Sequence, residues 1–596
     1  MREQTRKILV LLLTCILLAG CFVPQDVGEQ LPEPSIQHVP TLPTEPPAET
    51  NTEDEAFAAL DRELFLWAVT QNTATLRRNL SDPSAWGIDI SRIQPKLGDW
   101  SAEANAQHMA QCRMWLSRMR ELNRDALSEP LPFVYDVYEQ YFMQELNFDG
   151  LFVFSEPLDL IEGVQITLKE DFVYFPIENE TDIALYLALL ADVPRYLEQI
   201  LAHEKLRAEQ GMFMTRTALN QVLADCGTEA AQKSQDTLIA TFDEALRILP
   251  LNDAKIADYL ARQQTLAEGY AGAFSNLRAG LSKLSKQCRA SVGLREQGVK
   301  ATSYYAAVLQ REGSTDLSPD GAMQLLEEFR DKTYAELDSR YQSNAEEFHY
   351  ESIRAFDTPQ KNLDHLLKLL QDVFPEPPVH DYALLETPPA MRETAPSVFH
   401  RYATLEAATW QILTINPDAE MDILDYAHES YPGHLYHAAY QNTRTSAPLF
   451  QRSLSLPGHH EGWGMNAARE MAQRDSHFGT SYLQSTYYYD LFILLNCAIA
   501  SIQVNYYGYS KAELTRYLKS MGLQAMANDI YNRAVDMPYY DFKFMLGYCA
   551  QQKIQESCKS AYADNTATYY AHYLDLGAGY FNLLQPEMHR WAKEFD

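Results

Sequence analysis

Cysteine is scarce: the chain has eight in 596 residues, with no C-x-x-C pair. That excludes a zinc ribbon and fits poorly with a disulfide scaffold. Cys15 and Cys21 lie in the leader region. Cys112, Cys226, Cys288, Cys497, Cys549 and Cys558 are scattered. They read as small buried apolar residues, with room for one or two disulfides. Cations are also few. Lys and Arg total 49 against 81 Asp and Glu, a formal net charge of −32. No Lys/Arg-rich run follows the leader, so the reading includes no nucleic-acid partner. Strand signals are sparse, and no internal repeat is visible. What is abundant is apolar surface. Hydrophobic residues make up 46% of the chain and charged residues only 22%, which supplies a large core and argues against wholesale disorder. The acidity itself is common among secreted proteins selected for solubility.

The N-terminus is built like a targeting segment. "MREQTRK" is a basic start and "ILVLLLTCILLAG" an apolar run of signal-peptide length. The run ends in "LAGC", Leu18 to Cys21, which resembles the bacterial lipobox. That resemblance makes residues 1–20 a signal peptide and Cys21 the lipidated first residue of the mature chain. The other reading is a plain N-terminal anchor; both tether the chain outside the cytoplasmic membrane. Residues 21–55, lipidated Cys21 included, are otherwise rich in Pro, Glu and Thr and read as an extended tether. The expected location is therefore the cell membrane, as a lipoprotein on its extracytoplasmic face.

From residue 56 apolar residues recur at three- and four-residue steps. The pattern predicts an N-terminal helical part over 56–345 and a second helical part over 346–596. Two stretches read as strands, "GVQITLK" (163–169) and "TWQILTINP" (409–417). A free edge on the second could pair with an extended peptide. Another helix at 409–417 is an equal alternative on sequence grounds.

The chemistry concentrates in "DYAHESYPGHLYHAAY", residues 425–440. A helical zinc motif is H-E-x-x-H, with its histidines four positions apart. Here His428 and His434 are six apart, which on a regular helix turns them roughly 240° from one another. Pro432 and Gly433 sit between them. Proline removes a backbone donor and glycine permits unusual angles, so a break here could return His434 to the face of His428. A catalytic zinc needs a third protein ligand. Glu461, in "SLPGHHEGWGMNAARE", supplies a carboxylate on a predicted helix. Glu429 stands beside His428, placed for a general base. A surface cluster of polar residues is the bland alternative. The apolar neighbours Tyr431, Leu435, Tyr436 and Ala438 favour a buried site.

"AHESYPGHLYH" followed by "HHEGWG" resembles the bacterial family known as domain of unknown function 885. Its members carry an H-E-x-x-P-G-H box and a later E-G-W box, and are grouped by resemblance with gluzincin-type zinc metallopeptidases. The likeness extends to "LFLWAVTQNTATLRRNLSDPSAWGI", "YLALLADVPRYLEQILAHEKLRAEQGMFM", "VNYYGYS", "MPYYDFKFMLGY" and "HYLDLGAGYF". It implies that His428, His434 and Glu461 ligate one Zn²⁺ per chain and that Glu429 is catalytic. The sequence departs from the family pattern at Asn466, Ala468, His437 and Phe544, which bears on tuning and substrate contacts and leaves the ligands untouched. Stabilising a tetrahedral oxyanion calls for a further donor. Candidates are His459, His460, Arg533, Tyr539, Tyr540 and Tyr548.

The resulting expectation is a mainly α, multi-helical fold of thermolysin/neurolysin-like metallopeptidase type, with a small β-sheet near the active site. The expected function is zinc-dependent hydrolysis of short peptides. The alternatives are a zinc hydrolase of another amide or ester, and a non-catalytic solute-binding surface lipoprotein.

Overall fold

A computed structural model describes residues 51–594, apart from 344–354, 372, 379–381, 393–394, 402–403, 407–410 and 563–564. The expected signal peptide, Cys21 and most of the expected tether lie outside the described residues.

The predicted helical periodicity becomes helix over most of the chain. Glu180–Glu209 is a clear case. Asn179 caps it by accepting from the Thr181 and Asp182 N–H groups, and Ile183, Tyr186, Leu190, Val193, Leu197 and Ile200 form its buried stripe. It packs on Asp253–Lys283, which packs in turn on Thr228–Ile248. Their apolar faces make one core, which includes Phe172, Leu219, Phe242 and Phe274. The first predicted helical stretch divides in two. Thr52–Val69 ends before Asn72, whose side chain caps the new helix Thr73–Asn79.

The larger core runs from Phe57 to Trp591 and includes Tyr138, Tyr305, Trp463 and Tyr570. Both ends of the described chain therefore contribute to the packing around the site. Thr480–Asn505 passes through this region. It is long and apolar enough to cross a membrane, yet 83% of its apolar window is buried against protein. Its neighbours include Pro319–Ser343, Ala527–Asp536 and Tyr540–Tyr562.

Two expectations about strands need correction. Residues 163–169 are not a strand but the start of the helix Val164–Val173. Its buried residues Gln165, Leu168 and Phe172 follow the helical period. The preceding turn is set by Asp159, whose carboxylate accepts the Ile161 and Glu162 N–H groups. Tertiary packing thus overrides the β-branched pattern. Residues 411–415 do form a strand, but not one with a free edge. The sheet is β1 (Tyr382–Glu386), β2 (Val398–Arg401) and β3 (Gln411–Ile415), in the order β1-β3-β2. β3 is central, parallel to β1 and antiparallel to β2. β2 packs on the helix Ile423–Glu429, and both β2 and β3 contact the helix His434–Thr443.

Candidate metal centre

The helix carrying His428 is short, Ile423–Glu429, and is capped by Asp422. It stops at Ser430, whose backbone (φ −117°, ψ −103°) leaves the helical region. A cis Tyr431–Pro432 bond follows, and a new helix, His434–Thr443, begins at His434 itself. The break predicted from Pro432 and Gly433 is therefore present. Gly433 makes it possible by proximity: a Cβ there would stand 1.8 Å from the His428 carbonyl oxygen. Trp463 closes the bulge from the other side. Its indole N–H donates to the Pro432 and Gly433 carbonyls, at 2.8 and 3.2 Å.

The break puts both imidazoles on one side. Their rings lie 4.6 Å apart between centroids and nearly perpendicular. Glu461 arrives from the helix Pro457–Ala472. Its Oε2 is 3.4 Å from His428 Nε2 and 3.5 Å from His434 Nε2. One ligand atom from each of the three residues falls within 4.8 Å of the others. Tetrahedral ligands with bonds of roughly 2.0–2.1 Å lie about 3.4 Å apart. Two imidazoles and a carboxylate at these separations fit a zinc ion.

The charges of these groups are coupled. Burial alone would push the Glu461 carboxyl up, but hydrogen bonds with His428 and His434 and the charge of Lys543 hold it well below the usual range. Burial alone would pull His428 down; the Glu461 hydrogen bond and the Glu429, Glu461 and Asp425 charges outweigh it and raise the imidazole. Opposite charges stabilise one another where water is excluded.

Glu429 is not among the three converging residues, although its charge acts on His428. Its Oε2 accepts the backbone N–H of His400, on β2, at 2.9 Å. That bond uses an outward-facing donor of the edge strand to orient a carboxylate next to the ligand set. The His400 imidazole is fully buried, bonded to Gln411, and is pushed down to about 3, first by burial.

The remaining candidates separate. His460 joins the site, its ring stacked on His434 at 3.8 Å and 8°. His459 is buried against Tyr573. Tyr540 and Lys543 line a cavity of about 180 Å³ with Glu162 and Asp536. The charge of each acts on or feels Glu461. Lys543 also pairs with Glu162, at 2.5 Å. Tyr539 lines the same cavity and packs on Tyr304 and Tyr305. Arg533 is committed to Asp541, through both Nε and Nη2. Tyr548 packs in the core against Phe329 and Tyr487. The departures from the family pattern also find places. Asn466 is buried and donates through Nδ2 to the Tyr570 hydroxyl oxygen, and Phe544 packs on Tyr540.

Sequence reasoning missed four contributors: His400, Trp463, Gly464 and Lys543. The glycine–tryptophan–glycine run after Glu461 was the available signal. Gly464 lies directly under the His428 imidazole, and a Cβ there would stand 2.6 Å from Nε2. The six cysteines expected to be small buried residues are free thiols, five of them buried and Cys288 half-buried.

Comparison with known proteins agrees with this picture at the level of fold. The "putative lipoprotein" from Colwellia psychrerythraea has a similar structure, with a TM-score of 0.75 at 14% identity. A "putative lipoprotein of unknown function" from Shewanella oneidensis matches with a TM-score of 0.58 at 13% identity. Each alignment covers 91% of this chain and 100% of the other. No curated protein matches. The match that identifies the chain is to a family and covers residues 83–578, histidine break and Glu461 helix included. The protein belongs to the bacterial family of unknown function DUF885.

Proposed function

We propose that this protein is an extracytoplasmic, lipid-anchored zinc metallopeptidase that hydrolyses short peptides. One observation carries the reading. The ligand atoms of His428, His434 and Glu461 converge, with Glu429 held beside them by the His400 N–H. A purely structural metal site has no use for a carboxylate oriented next to it.

Zinc bound here supplies a Lewis acid for a water and for a carbonyl oxygen. The chain does the rest. Glu429 accepts the water's proton and passes it to the leaving amine. One carboxylate oxygen is occupied by His400, which fixes the direction in which the other acts. Tyr540 and Lys543, which interact electrostatically with Glu461, are assigned as proton donor and positive charge for a developing oxyanion. The lipid anchor rests on the "LAGC" motif and the Pro-rich tether, and two structural relatives described as lipoproteins are consistent with it.

The test is metal analysis of the purified protein paired with digestion of a mixed peptide library. The reading requires one zinc per chain and peptide cleavage that a chelator abolishes. Zinc without cleavage of any peptide transfers the site to another amide or ester substrate, or to a binding lipoprotein.

A further inference from the structure

A second cavity shares a wall with the metal centre. Its volume is about 430 Å³, within the range of small-ligand pockets, and His437, His459 and His460 line it. His460 is the residue stacked on the ligand His434, and it directly precedes the ligand Glu461. Whatever occupies this cavity is therefore next to the reacting groups.

Its charge is the reverse of the chain's. The protein carries a formal net charge of −32. Yet three arginines, Arg78, Arg444 and Arg452, line the cavity, and no Asp or Glu is among its lining residues. Arg444 and Arg452 are not neutralised within it. Arg452 donates through Nη2 to the Leu405 and Asn442 carbonyls, and its buried Nε has no partner among the described residues. Arg444 donates to the Gln441 side chain and the Asp575 carbonyl. Burial, and for Arg444 the charge of Arg452, hold both guanidinium groups below their ordinary range, against the pull of Asp575 on Arg444 and Glu406 on Arg452. The imidazole Nε2 atoms of His437 and His459 are likewise buried without a partner, as is the acceptor Gln451 Oε1. Buried donors left unpaired cost free energy that a bound acceptor recovers. Guanidinium groups match a carboxylate best of all, through paired charge-assisted hydrogen bonds.

We propose that this cavity binds a carboxylate of the substrate peptide, so that the enzyme selects peptides with a free carboxylate next to the scissile bond. The proposal rests on the peptidase reading and adds its substrate class. Two sources share the chemistry, the C-terminal carboxylate and an acidic side chain. Gln451 Oε1 then accepts a peptide N–H from the same occupant.

The test uses three versions of one cleavable peptide: a free acid, its C-terminal amide, and an amide ending in glutamate. kcat/KM is measured for each with the parent, Arg452→Met and Arg444→Met. Zinc content and circular dichroism confirm that each variant is folded and loaded. The parent should favour at least one carboxylate-bearing peptide over the uncharged amide by about 10- to 100-fold, the worth of one or two charge-assisted hydrogen bonds. Preference for the free acid assigns the terminal carboxylate; equal preference for the glutamyl amide assigns the side chain. Arg452→Met should erase most of that preference, through a rise in KM for the carboxylate-bearing peptides. Equal cleavage of all three peptides by the parent overturns the proposal and leaves the peptidase reading intact. If no peptide is cleaved, the peptidase reading has failed. Equilibrium dialysis of the same peptides against the zinc-loaded parent then decides the cavity separately, and equal retention of acid and amide overturns it.

Discussion

Gly464 and His428 occupy one space: a Cβ on residue 464 would stand 2.6 Å from the imidazole Nε2 that faces Glu461. The glycine is therefore part of the proposed metal centre although it offers no ligand atom. Gly464→Ala should displace the ring, and a disturbed supporting contact typically costs about 10- to 100-fold in metal affinity. Competition with a coloured chelator measures it. Unchanged zinc affinity in Gly464→Ala would show that His428 does not ligate through this position.

The break between the two histidines depends on a second pair of contacts. Gly433→Ala places a methyl 1.8 Å from the His428 carbonyl oxygen, and only backbone movement relieves it. The expected loss is at the top of the usual overpacking range of about 1–3 kcal/mol, accompanied by zinc loss. Trp463→Phe removes the donor to Pro432 and Gly433 while keeping most of the ring. It should cost about 1–3 kcal/mol for the two orphaned carbonyls. Thermal melts of zinc-loaded protein check both, and Gly433→Ala should fall further than Trp463→Phe.

Zinc removal should lower stability as well as activity, because an ion held by His428, His434 and Glu461 would join three separate helices. A ligand present at a hundred times its dissociation constant adds about 2.7 kcal/mol. Melts with and without chelator should differ in the parent and coincide in a His428→Ala, His434→Ala double variant. A chelator shift that persists in the double variant would place the stabilising ion elsewhere.

The membrane tether makes its own prediction. On the lipoprotein reading, Cys21→Ser removes the thiol that would carry the lipid and should move the protein from the membrane fraction to the soluble extracytoplasmic one. Retention in the membrane fraction would favour a plain N-terminal anchor over a lipid.

Some of this site was legible in the sequence and some was not, for physical reasons. The odd spacing of His428 and His434 and the Pro-Gly pair between them are local features, and local backbone rules suffice to read a break. Glu461 was legible because a carboxylate on a nearby helix is a recurring third donor. The helix over 164–173 was misread because its β-branched residues alternate, and only packing by Leu168 and Phe172 decides between the two periods. The position of β3 at the sheet centre depends on pairing with two segments distant in sequence from it. The support from His400 and Gly464 depends on contacts across 29 and 36 residues, as 429 − 400 and 464 − 428. No local pattern carries such contacts. The basic cavity is collected from five separate segments and leaves no run of charge in the sequence.

The central claim is that Glu429 acts as a base beside a zinc ion that it does not bind. Substituting Glu429→Gln tests it most directly, with zinc content and peptide hydrolysis measured on the same preparation. Glutamine keeps the size and can still accept the His400 N–H, but cannot take a proton from water. The account predicts one zinc per chain as in the parent and a fall in kcat of about 10²–10⁴-fold. Glu461→Gln, run alongside, should instead lose zinc and recover part of its activity when zinc is added. Parent-level hydrolysis by Glu429→Gln, or loss of zinc from it, would contradict the account.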